Sequence, residues 1–447
     1  MHTLRYIAFA LSLSLAAVVC NAQGTMQGDS LSLKAIIQQV ISNYPSILKA
    51  EQDVEAANAR IGLAKSAYYP RVDAAASYTR IGPVSSLSMT LPIPSPDKPT
   101  IIGPFSMNPA NNYNAALNYN QTIYDFGKTS GKVDLENQNK LLSQLSMEQL
   151  KQQLSLSLLN TYYSILYLQD AVRIKDEELK TLGEHLTFVQ KQEATGTSTQ
   201  YNILSTQVRI SNTENQKVDL QTSLQILQAH LNSFMGNAHN VPLSVREELL
   251  PPEMLDANDK LITTAYQQRE ELKVAHQQAE LASTRYRLAG IANNPEFDLF
   301  ASGGFKNGYI PNLNVIKANY VAGISFKLPI FDGNRVKYNR LQAQSEIKSV
   351  EQTTELTRRN ISDEVIENRA NVDAALKKIM QQELQLKQAQ RAYELAQTSF
   401  EAGTVTNLDL LDSETALAES RLALMKSKID YTVSLLKLKI ATGEHIY

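Results

Sequence analysis

The sequence predicts a mixed α+β membrane protein made of two copies of one unit, a β-hairpin followed by a very long helix, a glycine turn and a second long helix. Three observations carry this expectation. From Asn334 to Ala402 there are 69 residues without Gly or Pro, a run that permits one rod of roughly 100 Å at about 1.5 Å per residue. The stretch Phe400-Glu401-Ala402-Gly403-Thr404-Val405-Thr406-Asn407-Leu408-Asp409-Leu410-Leu411-Asp412 has a twin at Glu193 to Leu204, and one offset of 207 joins Ile123 to Ile330, Gly196 to Gly403 and Gly236 to Gly443. The chain is therefore an internal duplication. Ahead of each rod lies a segment in which apolar and polar residues alternate.

In chain order, residues 1–22 read as a secretory signal: Arg5 supplies positive charge, Ile7 to Val19 is a short apolar core, and Cys20-Asn21-Ala22 is a small-residue cleavage site. Cys20 offers lipid attachment as the alternative, disfavoured by the bulk of Val19 just before it; cleavage as a plain signal would start the mature chain at Gln23 without a thiol. Residues 23–236 form the first repeat, 237–259 with Pro242, Pro251 and Pro252 a linker, 260–443 the second repeat and 444–447 a tail. Leu31 to Tyr68 reads as helix interrupted near Pro45, with Leu33, Ile36, Ile37, Val40 and Ile41 at helical spacing, and Leu261 to Ala292 repeats it.

The hairpins span about 71–124 and 296–331. Val72 to Arg80 and Phe297 to Phe305 are their first strands. The second strands carry apolar faces of Tyr113, Ala115, Leu117, Tyr119 and Ile123, and of Tyr320, Ala322, Ile324, Phe326 and Ile330, with mostly polar residues between. Such two-faced strands of about ten residues suit a transmembrane barrel with a wet lumen. Upstream, Pro70/Pro295 and Asp73/Asp298 align at an offset of 225, so 18 residues are extra in the first copy. They fall in Gly82 to Asn112, which holds seven prolines and reads as a long surface loop; its counterpart is Gly304 to Asn319. Ile123-Tyr124-Asp125-Phe126-Gly127 and Ile330-Phe331-Asp332-Gly333 mark the switch from strand to rod. Leucine stripes within the rods are packing seams, and Tyr201 to Met235 and Leu408 to Thr442 are the returning helices.

The chemistry is mostly absence. A net charge of −2 without a basic block gives no reason to expect nucleic acid. The six histidines lack ligand spacing, and there is no phosphate loop, nucleophile elbow or acidic pair in an apolar pocket. Neither an enzyme, a metal site nor a cofactor is expected. Four strands per chain cannot close a barrel, and an open edge in lipid costs several kcal/mol for each unpaired backbone group, so closure must come from several chains.

Signal, duplicated hairpin and rod, and the paired Gly-Thr turns together resemble the TolC family of outer-membrane efflux proteins, most specifically through Phe400-x-x-Gly403-Thr404-x-x-x-Leu408-Asp409-x-Leu411-Asp412, echoed at Gly196-Thr197. The resemblance implies a homotrimer in the bacterial outer membrane: one twelve-stranded barrel, four strands from each chain, in contact with outer-membrane lipid and continued across the periplasm by a helical tunnel. It also implies docking of a periplasmic adaptor protein, linked to an inner-membrane pump, at Gly196, Thr197, Gly403 and Thr404. An acidic gate ring would fall on Asp409 and Asp412, since the first copy has Asn202 and Ser205 there. Val405 departs from members with a basic latch residue at that position. Taken alone, these residues also fit plain helix ends: glycine supplies positive φ, and aspartate near a helix start favours it by about 0.3–1 kcal/mol. The rival to an exit duct is a structural or adhesive stalk anchored by its hairpins.

Overall fold

The computed structural model describes residues 30–91 and 100–447. The signal segment, Cys20, and Pro92, Pro94, Pro96 and Pro99 of the long loop lie outside the described residues. The chain divides into two compact units. One takes the chain up to Leu48 with Leu150–Gln268 and Ile361–Tyr447; the other takes Lys49–Gln149 with Arg269–Asn360. This division cuts across both repeats, because each unit draws matching pieces from both copies.

The first unit is helical. Helix α1 (Leu33–Asn43) starts at Ser32, whose hydroxyl accepts the Ala35 N–H at 3.2 Å. It stops because Tyr44 precedes a proline and is extended (φ −71, ψ 128). Pro45 then opens α2 (Pro45–Lys65) at the position where a missing N–H costs nothing. In the second repeat α5 (Asn258–Gln268) and α6 (Glu270–Ile291) break at Arg269 (φ −63, ψ 129), the equivalent residue, without any proline. The breaks thus share a geometry and differ in local cause.

The apolar face of α1, Ile36, Ile37 and Val40, is fully buried against Leu158, Leu159, Tyr162 and Ile165 of α3 (Lys128–Ala194) and Leu231 of α4 (Gln200–Met235). Burial of each such aliphatic side chain stabilises by about 1.5–3 kcal/mol. The segment read as a linker is part of this core. Leu243 and Val245 are buried in it, Leu31 forms a parallel bridge with Val245, and the Tyr162 hydroxyl donates to the Arg246 carbonyl at 2.6 Å. The rods are single helices in both repeats, α3 and α7 (Arg335–Glu401), each of 67 residues, and α8 (Asn407–Ala441) returns after the second.

The second unit holds the sheet, β1 (Arg71–Arg80), β4 (Asn111–Tyr124), β5 (Glu296–Lys306) and β6 (Lys317–Lys327), antiparallel in that order. Register places Val72, Ala74, Ala76 and Tyr78 opposite Tyr119, Leu117, Ala115 and Tyr113. The same face continues through Phe305, Ala301 and Leu299 to Ala318, Ala322 and Ile324. The other face carries the hydrogen bonds Ser302–Asn118 (2.8 Å) and Thr122–Asp298 (2.7 Å). Phe300 also lies on that polar face, its ring over Gly323, where an added Cβ would come within 2.8 Å of it. Among the described residues, no helix is long and apolar enough to cross a membrane.

Three expectations need correction. The stretch Gly82 to Asn112 is not all loop: β2 (Ser86–Leu91) and β3 (Thr100–Ser106) pair antiparallel within it. A two-stranded ribbon is all edge, so Pro104 can sit in β3 without breaking a ladder on both sides. The second-repeat loop is shorter than read, only residues 307–316, because β5 and β6 run further. Ile330 falls outside β6, which ends at Lys327 two residues before Pro329.

The strand-to-rod switch uses two successive left-handed residues in each repeat, Phe126 (φ 55) with Gly127 (φ 91), and Gly333 (φ 66) with Asn334 (φ 65). Asp125 caps α3 by accepting the Thr129 N–H at 2.7 Å, and Asp332 accepts the Val336 N–H at 2.9 Å ahead of α7. Burial would push the Asp125 carboxyl up, but hydrogen bonds from Thr129, Gly127 and Lys128 outweigh it and hold it below the usual range.

At Gly304 the neighbouring strand β4 leaves no room for a side chain: an added Cβ would collide with the Ala115 carbonyl oxygen and lie 2.6 Å from Ala116 Cα. At Gly303 nothing lies within 4 Å. Gly304→Ala should therefore cost about 1–3 kcal/mol and lower the thermal unfolding midpoint of the detergent-solubilised protein in circular dichroism. Gly303→Ala should stay within about 0.5 kcal/mol of the parent.

Candidate functional site

The two glycine turns share their backbone bonds and the bond of the threonine that follows each glycine, and differ at Thr195, whose hydroxyl lies 3.1 Å from that of Thr197 where the second copy has Ala402. After α3, the Gly196 N–H donates to the Glu193 carbonyl (2.9 Å), and the Thr197 N–H and hydroxyl donate to the Gln192 carbonyl (2.9 and 3.0 Å). After α7, Gly403 donates to Phe400 (3.0 Å), and Thr404 donates through both groups to Ser399 (2.9 and 3.0 Å). The glycines take φ +78 and +72, the left-handed conformation that lets the last carbonyls of a helix find donors. A Cβ at either would meet nothing within 4 Å in its own chain. Both threonine hydroxyls therefore donate inward, while both glycines face open space.

The next helices start on Thr199 and Thr406, again at the offset of 207. Here the copies diverge. Asp409 closes a capping box: its N–H donates to Thr406 Oγ1 (3.2 Å), while its Oδ2 accepts from Thr406 Oγ1 (2.6 Å) and Thr406 N (3.0 Å). The Thr406 side chain and then its backbone N–H hold the Asp409 carboxyl below the usual range. Asp412, one turn on, is exposed and pairs with Arg209 of α4 at 2.7 Å. In the first copy Asn202 bonds Ser198 Oγ at 3.1 Å.

Below the turns lies a clamp that residue types and spacing did not announce. Asn407 is buried at 4% exposure. Its Nδ2 donates toward Asn202 O (3.4 Å), Ser205 Oγ (3.1 Å) and Thr206 Oγ1 (3.4 Å), and its Oδ1 meets His185 Nε2 at 2.6 Å. With the amide nitrogen committed to three acceptors, Oδ1 accepts and Nε2 carries the proton. Burial pushes the His185 pKa down despite this bond, so the ring is neutral at pH 7. His185 also packs edge-on to Phe400, at 5.3 Å between centroids. Phe400, Val189 and Leu410 are buried together, with Val405, Ile203 and Tyr393 against them. Val405 is thus an apolar contact at the position where some members of the resembled family carry a basic latch residue. One turn deeper, Glu414 is buried near Glu178, whose carboxylate pairs with Lys175 at 2.7 Å.

Of the sequence-predicted residues, the structure brings Gly196, Thr197, Gly403 and Thr404 into two equivalent turns, and places Asp409 and Asp412 on one exposed face of α8. Sequence reasoning missed His185, Arg209, Asn407 and Glu414. Only Glu414 left a trace: it occupies the buried slot in the series Asn407, Leu410, Leu411, Glu414, Leu417, Ala418.

A family model described as Outer membrane efflux protein matches residues 36–237 and 261–444. The chain is 21% identical to Outer membrane protein TolC of Salmonella enteritidis, over 99% of this chain and 86% of that protein. It is 24% identical to Alkaline protease secretion protein AprF of Pseudomonas aeruginosa, over 94% of this chain and 85% of the relative. Among solved structures, the outer membrane protein VceC of Vibrio cholerae superposes with a TM-score of 0.73 at 19% identity, covering 93% of this chain and 97% of that one.

Asn407→Ala removes the clamp and leaves Nε2 of His185 without its acceptor. An uncompensated buried donor costs about 1–3 kcal/mol, so this variant should melt earlier by that amount in circular dichroism. Leu408→Ala, on an exposed neighbour, should change stability by no more than about 0.5 kcal/mol.

Proposed function

The chain belongs to the outer membrane efflux protein family, and from that premise we propose that it is the passive exit duct of a tripartite efflux or secretion system, spanning the outer membrane and reaching into the periplasm. The observation that carries the reading is the four-stranded sheet with one apolar face, whose outer strands β1 and β6 each pair on one side only among the described residues. In lipid such edges must be paired, and three copies pairing β1 to β6 would close twelve strands into a homotrimeric barrel with the polar face inward. The segments 81–91, 100–110 and 307–316 then face the exterior and the glycine turns face the periplasm.

An adaptor protein docks, in this reading, against Gly196, Thr197, Gly403 and Thr404, and connects the duct to an inner-membrane pump. Support comes from the empty space around both glycines, which lets a partner helix approach the backbone closely. Because the Thr404 hydroxyl donates inward, its oxygen offers the partner an acceptor, whereas the Thr197 oxygen already lies 3.1 Å from Thr195 Oγ1. Cargo is selected by the pump, consistent with relatives named for protease secretion as well as for TolC.

Asp409 and Asp412 form the gate ring, two carboxylates from each of three chains. Rings of aspartate favour cations in a pore. Arg209 offsets Asp412 within its own chain, so Asp409 supplies most of the uncompensated charge.

Purified trimer in a planar bilayer tests the duct. It should conduct in small, gated steps and be blocked by multivalent cations added from the periplasmic side, whereas a stalk would not conduct. Block should survive down to a pH below the ordinary aspartate value of about 4, because Thr406 stabilises the Asp409 carboxylate; it is lost as pH falls through that lowered pKa. Asp409→Asn with Asp412→Asn should conduct without block; unaltered block in the double variant would remove the ring.

Docking has its own test. Gly403→Leu projects bulk into the partner's space, whereas Gly403→Asn keeps a residue tolerant of positive φ. Both should assemble as trimers in the membrane, and efflux should fall at least about tenfold further for leucine, equivalent to roughly 1.4 kcal/mol of lost docking. Equal efflux in the two variants would reduce Gly403 to a helix-ending residue.

A further inference from the structure

Glu414 lies on α8 with 6% of its surface exposed, and its Oε1 has no hydrogen-bond partner. A carboxylate left so incompletely solvated is costly, and the inexpensive state is the protonated acid. Its surroundings are titratable on every side. From α3 comes Glu178, bonded to Lys175 (2.7 Å) and receiving the Thr213 hydroxyl at 3.3 Å. From α4 comes Arg209, whose charge acts on Glu414 while its Nη2 bonds Asp412 at 2.7 Å. From α7 comes Tyr393, which senses Glu414, then Glu184 and Arg421. Glu178 opposes a charge on Glu414, and Arg209 is the cation that favours one. That same guanidinium is engaged two residues away, at the surface, by Asp412.

We propose that Glu414 is a proton-bearing switch: holding its proton, it leaves Arg209 to Asp412, and releasing it, it draws Arg209 inward and uncovers the Asp412 carboxylate. The step is an acid dissociation to solvent followed by exchange of one ion pair for another, with no bond broken beyond O–H. Burial, and after it the charge of Glu178, push the Glu414 pKa up to about 8, with Arg209 opposing. The exchange therefore falls in the mildly alkaline range, and Asp412 would be offset at neutral pH and free above it. Any effect on a charge ring rests on the reading above; the switch itself does not, and it can be measured on the purified chain without conductance.

The probe is the infrared carbonyl band of a buried protonated carboxyl, followed by pH-difference spectroscopy between pH 5 and 10 on full-length protein in detergent. The parent should show a band that disappears with a midpoint near pH 8, and Glu414→Gln, which keeps size and shape, should lack it. Arg209→Gln removes the opposing cation and should move the midpoint up. Asp412→Asn releases Arg209 to serve Glu414 and should move it down by at least half a unit. Asp412 is exposed, so its variant decides the question even if Arg209→Gln fails to assemble. A parent without a band that Glu414→Gln removes would show the group ionised throughout and overturn the proposal. So would a midpoint identical in parent and Asp412→Asn, which would leave Glu414 a buried acid with no influence on the ion pair.

Discussion

The constraint on which the rest depends is that a sheet facing lipid cannot end in an unpaired edge. Four strands with one apolar face satisfy every requirement of a membrane strand except closure, and among the described residues nothing supplies the missing neighbours of β1 and β6. Duplication contributes half of the remedy. The β4–β5 pairing, Ala115 opposite Phe305 through Tyr119 opposite Ala301, joins the hairpin of one repeat to that of the other along a full-length ladder. The edges of a single repeat, buried once in this way inside the chain, can be buried again between chains by the same geometry. The close approach at Gly304 belongs to this junction, because it is where the backbones of the two repeats must come together.

The rods obey a different economy. Their polar residues leave no thick core, and apolar burial concentrates where extra elements cover them, as where α1 and the 243–245 segment pack on α3. That is why the alternation of the strands and the duplication of the rods were legible in the sequence, whereas the packing of the 237–259 stretch was not. Alternation and Gly/Pro punctuation are local signals. Burial of Leu243 depends on which distant helix lies beneath it. The misread β2–β3 ribbon has the same origin, since prolines exclude a central strand but not an edge. The break at Arg269 shows the converse: the kink that Pro45 marks in one copy forms in the other without a proline.

At the tip, the backbone was legible and the side-chain network was not. Glycine and threonine at an offset of 207 announce two equal turns because φ above zero and the C-terminal carbonyls of a helix demand particular residues. His185, Arg209 and Asn407 act across helices more than 200 residues apart in sequence, and no spacing rule reaches that far. Glu414 could have been noticed as a carboxyl in a buried slot, but only the neighbours that fold around it decide whether such a residue is paired or left short of partners.

The divergence of the two turns is best understood as a division of labour imposed by the duplication. Equal backbones give the two turns one shape, with Gly196 and Gly403 at φ +78 and +72. Unequal side chains then concentrate charge in one copy: Asp409 replaces Asn202, Asp412 replaces Ser205, and Arg209 of the first copy reaches across to Asp412 of the second. Had both copies carried aspartates, the like charges would have doubled on adjacent helices without a second cation to offset them. Asymmetry therefore lets the chain keep a charged face on α8 while α4 supplies its counter-ion, and the cross-repeat bonds of Asn407 hold the two helices close enough for that exchange to matter.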